Sequence, residues 1–378
     1  MQIEQRTRNR GGWSEAAPPS MGARAQLALA FASTEILAER AIWAELVARY
    51  PNARIVGCST AGEIAGTRVL DDSLVTTAIA FDHSAVAVAQ VELDEADGDA
   101  ELGALLAQRL PHDGLIHMFV LSHGTKVDGS ALVAGITGQL PRRVAVTGGL
   151  SGDGARFASG AVCLDGPVPA DQVVAIGFYG DRLRIGYGSL GGWDAFGPER
   201  RITRSRGNVL IELDGEPALD LYKRYLGDAA AGLPASGLRF PLAIRGPAGR
   251  ATPVVRTLRS IDEAARTVTF GGDLPSGYRA RLMRASLERL VGGAAGAATA
   301  SLDGAGPGHI DLAILISGVG RKLVLEQRIG EEIEAARGVL GDTVTAGFYA
   351  YGEIAPFTSA ARCMLHNQTM TITTISER

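Results

Sequence analysis

Two segments far apart in the chain close on the same three residues, Gly-Glu-Ile: Gly57-Cys58-Ser59-Thr60-Ala61-Gly62-Glu63-Ile64 and Gly347-Phe348-Tyr349-Ala350-Tyr351-Gly352-Glu353-Ile354. Each comes after an apolar run, Ala53 to Val56 in one case and Val344 to Ala346 in the other. Each therefore reads as a strand emptying into a glycine-flexed turn that carries one carboxylate. Glycine permits positive φ and close backbone approach, and strand ends in α/β sheets are where small ligands bind. A carboxylate in such a turn suits a cationic group, such as the ammonium of an amino acid or amine. The competing reading is structural, with Glu63 and Glu353 capping a helix or pairing with an arginine; the recurrence of the phrase favours a ligand. Arg321, in Ser317-Gly318-Val319-Gly320-Arg321 at a strand end, is placed to clamp a ligand carboxylate through parallel hydrogen bonds. A buried pair with Glu353 or Asp153 is the alternative for it.

Other chemistries fit less well. Cys58 or Ser59 would serve as a nucleophile only with a base or a positive field beside it. The turn lacks the GxSxG elbow, no SxxK accompanies it, and Phe348 and Tyr349 stand at the matching places of the second turn. Ser59 and Thr60 are read instead as hydrogen-bond donors to a ligand or to the backbone. Gly57 and Gly62 have the spacing of a phosphate-binding loop, but Glu63 occupies the position of its lysine and would repel phosphate. The histidines, His83, His112, His117, His123, His309 and His366, form no HExxH and no i, i+4 zinc pair. His112 and His117 flank a strand start and are expected to be solvated.

Composition bounds the rest. The chain of 378 residues is 46% hydrophobic and 21% charged, which is globular and long enough for two domains. A net charge of −4 with scattered arginines offers no footprint for nucleic acid. No stretch of roughly 18 apolar residues predicts a membrane span, and Arg6, Arg8 and Arg10 do not begin a signal peptide, so a cytoplasmic location is expected. Cys58, Cys163 and Cys363 are odd in number and lack CxxC spacing, so a disulfide framework or structural zinc is not indicated and each reads as a small buried residue.

The turns need elements to hold them. After a loose start through Pro18-Pro19-Ser20, Leu27 to Ala32 reads as a strand, Glu35 to Arg49 as a helix and Arg54 to Val56 as a second strand. The pattern returns with Leu115 to Ser122, Ala131 to Gln139 and Val144 to Thr147, closing at Gly148-Gly149-Leu150-Ser151-Gly152-Asp153-Gly154. It returns again with Ile310 to Ser317, Val324 to Leu340 and Thr343 to Ala346. Between the second and third units, Asp181 to Leu190, Ile202 to Leu213, Pro253 to Ser260 and Thr267 to Phe270 read as antiparallel sheet. Ala218 to Leu226 and Ala280 to Val291 are its expected helices, and Gly292 to Gly308 reads as a flexible loop. The predicted class is α/β to α+β: two mixed domains with repeated strand-helix-strand units ending in glycine turns.

Both Gly-Glu-Ile turns, the run Thr147 to Gly154 with Phe157 after it, Gly318-Val319-Gly320-Arg321, and His366-Asn367-Gln368-Thr369-Met370-Thr371 together resemble the FIST proteins. The resemblance implies an N-terminal extension over 1–23, a FIST N domain over 24–212 and a FIST C domain with a C-terminal strand over 213–378. It also implies a non-enzymatic sensory module that binds a small molecule such as an amino acid. Its output would pass to a separate histidine kinase, chemotaxis receptor or cyclic-dinucleotide enzyme. The ligand-facing residues expected are Cys58, Ser59, Thr60, Glu63, Gly149, Asp153, Arg321, Tyr351 and Glu353, with no metal. One branch of the family senses nitric oxide through haem and carries a Cys-Ser-Pro segment after its first strand; here that segment is Phe31-Ala32-Ser33-Thr34-Glu35, and Ser317 stands where many relatives have cysteine. A haem-based sensor regulating a kinase is therefore the alternative, and a hydrolase using Cys58 or Ser59 the second.

Overall fold

The strand Leu27–Ala32 shows how these units are built, since successive side chains point to opposite faces. Leu27, Leu29 and Phe31 enter a core shared with Phe119, Leu121, Ile314, Ile316 and Phe348, while Ala28, Ala30 and Ala32 lie under Ile42, Trp43 and Leu46 of the helix Arg40–Arg49. Bulk on one face fills the centre, and alanine on the other lets the helix come close. The Phe31 and Phe348 rings meet at 4.7 Å, joining units remote in sequence. The computed structural model describes residues 1–14, 20–167, 171–247, 253–357 and 362–378; Pro18 and Pro19 of the expected loose start lie outside them.

All three strand-helix-strand units are present. The parallel strand pairs are Leu27–Ala32 with Arg54–Ser59, Leu115–Ser122 with Ala145–Leu150, and Leu312–Gly318 with Val344–Ala350. Each first strand also pairs antiparallel with a third, Leu74–Ala80, Gln172–Tyr179 or Met370–Glu377. The glycine that recurs in the second strand has one cause in every unit: a Cβ on Gly57, Gly148 or Gly347 would lie 2.3, 1.9 or 1.8 Å from the carbonyl oxygen of Ala30, Val120 or Leu315 on the adjacent strand.

Beyond the turns the units exchange strands. Glu63–Ala65, leaving unit one, pairs with the second strand of unit three; Gly352–Pro356, leaving unit three, pairs with that of unit two; and Val162–Leu164, leaving unit two, pairs with that of unit one. The result is a closed cycle of three six-stranded sheets around the shared core. The residues expected as the ends of ligand-facing turns, Glu63 and Glu353, thus lie at the starts of strands, first in Glu63–Ala65 and second in Gly352–Pro356, that stitch neighbouring units together. Within the expected N-terminal extension, Gln2–Asn9 is a strand of the first sheet beside Leu74–Ala80.

The antiparallel layer is a separate eight-stranded sheet, from Trp193–Arg206 to Arg279–Ala285, carrying the helix Ala218–Leu226. Leu183–Leu190, expected within it, instead edges the third sheet of the body through Met370–Glu377. Strands before and after position 213 share this layer and also the third sheet. Two expectations fail nearby. Arg279–Ala285 is a strand rather than a helix, and Gly292 to Gly308 is not a flexible loop, since Leu287–Ala305 forms one helix. Glycine and alanine there serve contact: the helix backbone comes so close to its neighbouring strand that a Cβ on Gly186 or Gly188 would sit 1.9 Å from Ser301 O or 2.2 Å from Ala297 O. Among the described residues no helix is long and apolar enough to cross a membrane.

Candidate ligand site

Beyond Arg54–Ser59 the chain is held residue by residue. Ser59 donates its N–H to Ala161 O at 2.9 Å, and its hydroxyl accepts from Ala161 N at 2.8 Å. The Thr60 hydroxyl accepts from Gly62 N at 3.0 Å and donates to Glu63 Oε1. Gly62 turns at φ 135°, a conformation that favours glycine, and a Cβ there would also push Lys322 Nζ, 2.4 Å away, from its place. The Gly148 to Gly154 turn of unit two is laced onto this one, with Gly152 N donating to Ser59 O at 2.9 Å and Gly154 N to Thr60 O at 3.1 Å. Between the turns opens a cavity of about 180 Å³ lined by Thr60, Gly62, Glu63, Asp71, Asp72 and Asp153, with Glu35 and Arg156 at its sides.

The lining is acidic, and its carboxylates differ in state. Glu63 is 1% exposed. Burial raises its pKa and nearby Asp71 adds to this, while hydrogen bonds from Ser73 and Thr60 and the charge of Lys322 oppose; the balance stands at about 7. Burial pushes Asp153 upward too, but the Tyr351 hydroxyl, Ser159 and the Ala158 N–H donate to it and hold its carboxyl below the usual range. Lys322 reaches Ala61 O at 2.9 Å and pairs with Asp71, so a helix of unit three touches a pocket built by units one and two. Arg156 pairs with Glu35 at 2.9 Å.

Ala155 and Arg156 also line a second, larger cleft of about 790 Å³ between the body and the antiparallel layer. Phe157, which lines the larger cleft, stands in the left-handed region at φ 54°, a conformation that costs a side-chain-bearing residue about 1–3 kcal/mol. It is held there by stacking on Tyr351 at 4.6 Å and by its N–H donating to the Tyr351 hydroxyl at 2.9 Å.

Of the nine expected ligand-facing residues, Thr60, Glu63 and Asp153 line the acidic pocket, and Tyr351 orients Asp153 from behind. The others do not reach it. Cys58 points into the central core, where burial first and then the charges of Cys163 and Glu63 push its thiol far up; with the Ser59 hydroxyl committed to Ala161, neither is poised for attack. Gly149 faces the interior, where a Cβ would meet Ile316 and Phe348.

Arg321 is corrected from clamp to strut. It is 0% exposed, pairs with Glu332 at 2.6 Å rather than with Glu353 or Asp153, and donates to the carbonyls of Leu290, at 2.7 Å, and Gly191. Glu353 is likewise interior: Oε2 accepts from Thr369 N and Oγ1 at 2.9 and 2.7 Å, Oε1 has no hydrogen-bond partner among the described residues, and burial lifts its pKa to about 8. His117, expected in solvent, is buried against Thr147, because it sits mid-strand facing the core rather than at the strand start.

Sequence reading missed Glu35, Asp71, Asp72 and Arg156. Arg156 carried the best signal, two residues beyond the Gly148 to Gly154 turn; the Asp71-Asp72 pair reaches the pocket only because the exchanged strand folds it back. Among the described residues no histidine or cysteine lines either cavity, so neither lining offers haem an imidazole or thiolate axial ligand. Among the described residues no cluster of His, Cys, Asp and Glu could hold a metal ion.

Family models for the FIST N domain and the FIST C domain match residues 26–216 and 218–356 respectively. No curated protein matches the chain. A solved structure described as "Crystal structure of cyanuic acid hydrolase from A. caulinodans" is similar at 12% identity, over 78% of this chain and 99% of that one, with a TM-score of 0.19. A likeness that distant carries no argument about function.

Proposed function

The chain belongs to the FIST family, with a FIST N domain ahead of a FIST C domain, and on that footing we propose that it is a cytoplasmic, non-enzymatic sensor of an amino acid or similar small amine. FIST domains are associated with signal-transduction sensing of small ligands. The observation that carries the proposal is the acidic pocket, where among the described residues Glu35, Glu63, Asp71, Asp72 and Asp153 line it with Arg156 as the lining cation, and Lys322 reaches Asp71 from outside. A ligand ammonium would sit near Glu63 and Asp153, replacing the Arg156 guanidinium that lies 3.6 Å from Asp153, and the ligand carboxylate would compete with Glu35 for that guanidinium. The pocket is walled by turns of units one and two and touched by Lys322 of unit three. An occupant that prefers one arrangement of these units shifts their equilibrium by its differential affinity. The output partner proposed is a separate histidine kinase, chemotaxis receptor or cyclic-dinucleotide enzyme.

The test is calorimetry of wild type and Glu63→Gln against the twenty amino acids and ethanolamine. A bound cation favours ionised Glu63, whose pKa in the folded chain is about 7, so binding below that pH must displace a proton. Affinity is expected to rise by up to about tenfold per pH unit until about pH 7 and then level off. Glu63→Gln should weaken binding about tenfold and flatten this profile. An affinity independent of pH and unchanged in the variant would remove Glu63 from the site.

A further inference from the structure

The larger cleft is chemically unlike the pocket it adjoins. Its walls include Phe157, Pro234, Leu238, Leu258, Leu323 and Val324, and among the described residues no carboxylate lines it. Arg156 and Arg239 reach it with their charges already matched, by Glu35 at 2.9 Å and Glu326 at 2.7 Å. Arg259 has no such partner among the described residues. Half-buried in the same cleft wall, it donates from Nη2 to the carbonyl of Gly124 at 2.9 Å. Burial draws its pKa down, and the nearby Tyr351 opposes this. A guanidinium remains charged even so, and a desolvated charge without a counter-ion is costly. Its planar fork suits a carboxylate, and a cleft of about 790 Å³ is in the range that encloses a metabolite of some tens of atoms.

We propose that this cleft binds an amphipathic organic monoanion, a carboxylate on an aromatic or branched apolar body, with Arg259 holding the acid group and Leu238, Leu258 and Phe157 covering the body. The site is distinct from the amine pocket, though both contact the segment Ala155-Arg156, so an occupant of one is felt at the wall of the other.

Two fluorescent probes test this on the full chain: 8-anilinonaphthalene-1-sulfonate, whose sulfonate stands in for the carboxylate, and N-phenyl-1-naphthylamine, which has the same rings and no acid. The sulfonate is expected to bind once per chain and to be displaced by 4-phenylbutyrate but not by 4-phenylbutanol. Arg259→Gln should weaken the sulfonate tenfold or more and the neutral probe less than twofold, and Leu238→Trp should weaken both. Glu63→Gln should leave both unchanged, so failure here is separable from failure of the amine reading. Near-UV circular dichroism checks each fold; should Arg259→Gln not fold, Arg259→Lys, which keeps charge but loses the fork, is expected to lose severalfold in sulfonate affinity alone. Equal affinity for the two probes in wild type, equal losses of both in the Arg259 variant, or indifference of both to Leu238→Trp would overturn the proposal.

Discussion

Arg321→Met is expected to destabilise the protein by about 3–5 kcal/mol, the cost of leaving one member of a buried ion pair uncompensated. Both Arg321 and Glu332 are 0% exposed, and Glu332 also accepts from the Ser317 and Tyr349 hydroxyls, at 3.1 and 2.7 Å. The guanidinium in turn ties the helix Leu287–Ala305 to the body through Leu290 O. Removing the cation therefore strands a carboxylate and frees two carbonyls at once. Urea unfolding reads the loss as a lowered midpoint at unchanged slope. The double variant Arg321→Met, Glu332→Leu should recover much of it, because apolar groups of similar volume replace a buried pair at little net cost. A single variant of wild-type stability that failed to respond to amines would restore Arg321 to the ligand site.

Between pH 6.5 and 8 stability is expected to fall as pH rises, by about 2 kcal/mol from Glu353 alone, at 1.36 kcal/mol per pH unit. Burial sets the sign. Glu353 titrates at about 8 in the folded chain against an ordinary 4.5, so between those values the native state binds the extra proton and a rise in pH works against it. Glu63 acts the same way up to about 7. Buried His117 and His366 act oppositely, with pKa values lowered by burial to about 3 and 4, so their contribution grows as pH rises but is complete by about 6.5. Glu4 and Glu377, each held near 2 by hydrogen bonds that outweigh burial, lose their contribution only as pH falls below about 4.5. Above pH 6.5 the two glutamates are thus left to set the slope, and Glu353→Gln should remove most of it. An identical pH profile for variant and wild type would mean that Glu353 is not buried as an acid.

The three units were legible because their strands alternate or run apolar and each closes on glycine; Leu115–Ser122 matches the expected bounds at both ends. The strand exchange was not legible. Nothing local in Glu63-Ile64-Ala65 says that it pairs with residues near 346, some 280 positions away. That exchange is also why the repeated Gly-Glu-Ile phrase has two outcomes. Glu63 begins a strand and lines the pocket, whereas Glu353 is the second residue of its strand and accepts from Thr369. Arg321 was misjudged for a related reason: its neighbours Gly191 and Leu290 come from the segments flanking the inserted layer, and sequence spacing carries no trace of that approach. The helix Leu287–Ala305 was missed because glycine read as freedom was needed for contact.

The acidic pocket as the sensing site is tested most directly by hydrogen exchange with and without the tightest-binding member of the amino acid panel at pH 8. Slowed exchange is predicted in residues 60–63, 71–72 and 153–156, which line it, with the protection lost in Glu63→Gln at the same ligand concentration. Binding accompanied by protection only elsewhere, or equal protection in the Glu63 variant, would contradict the account.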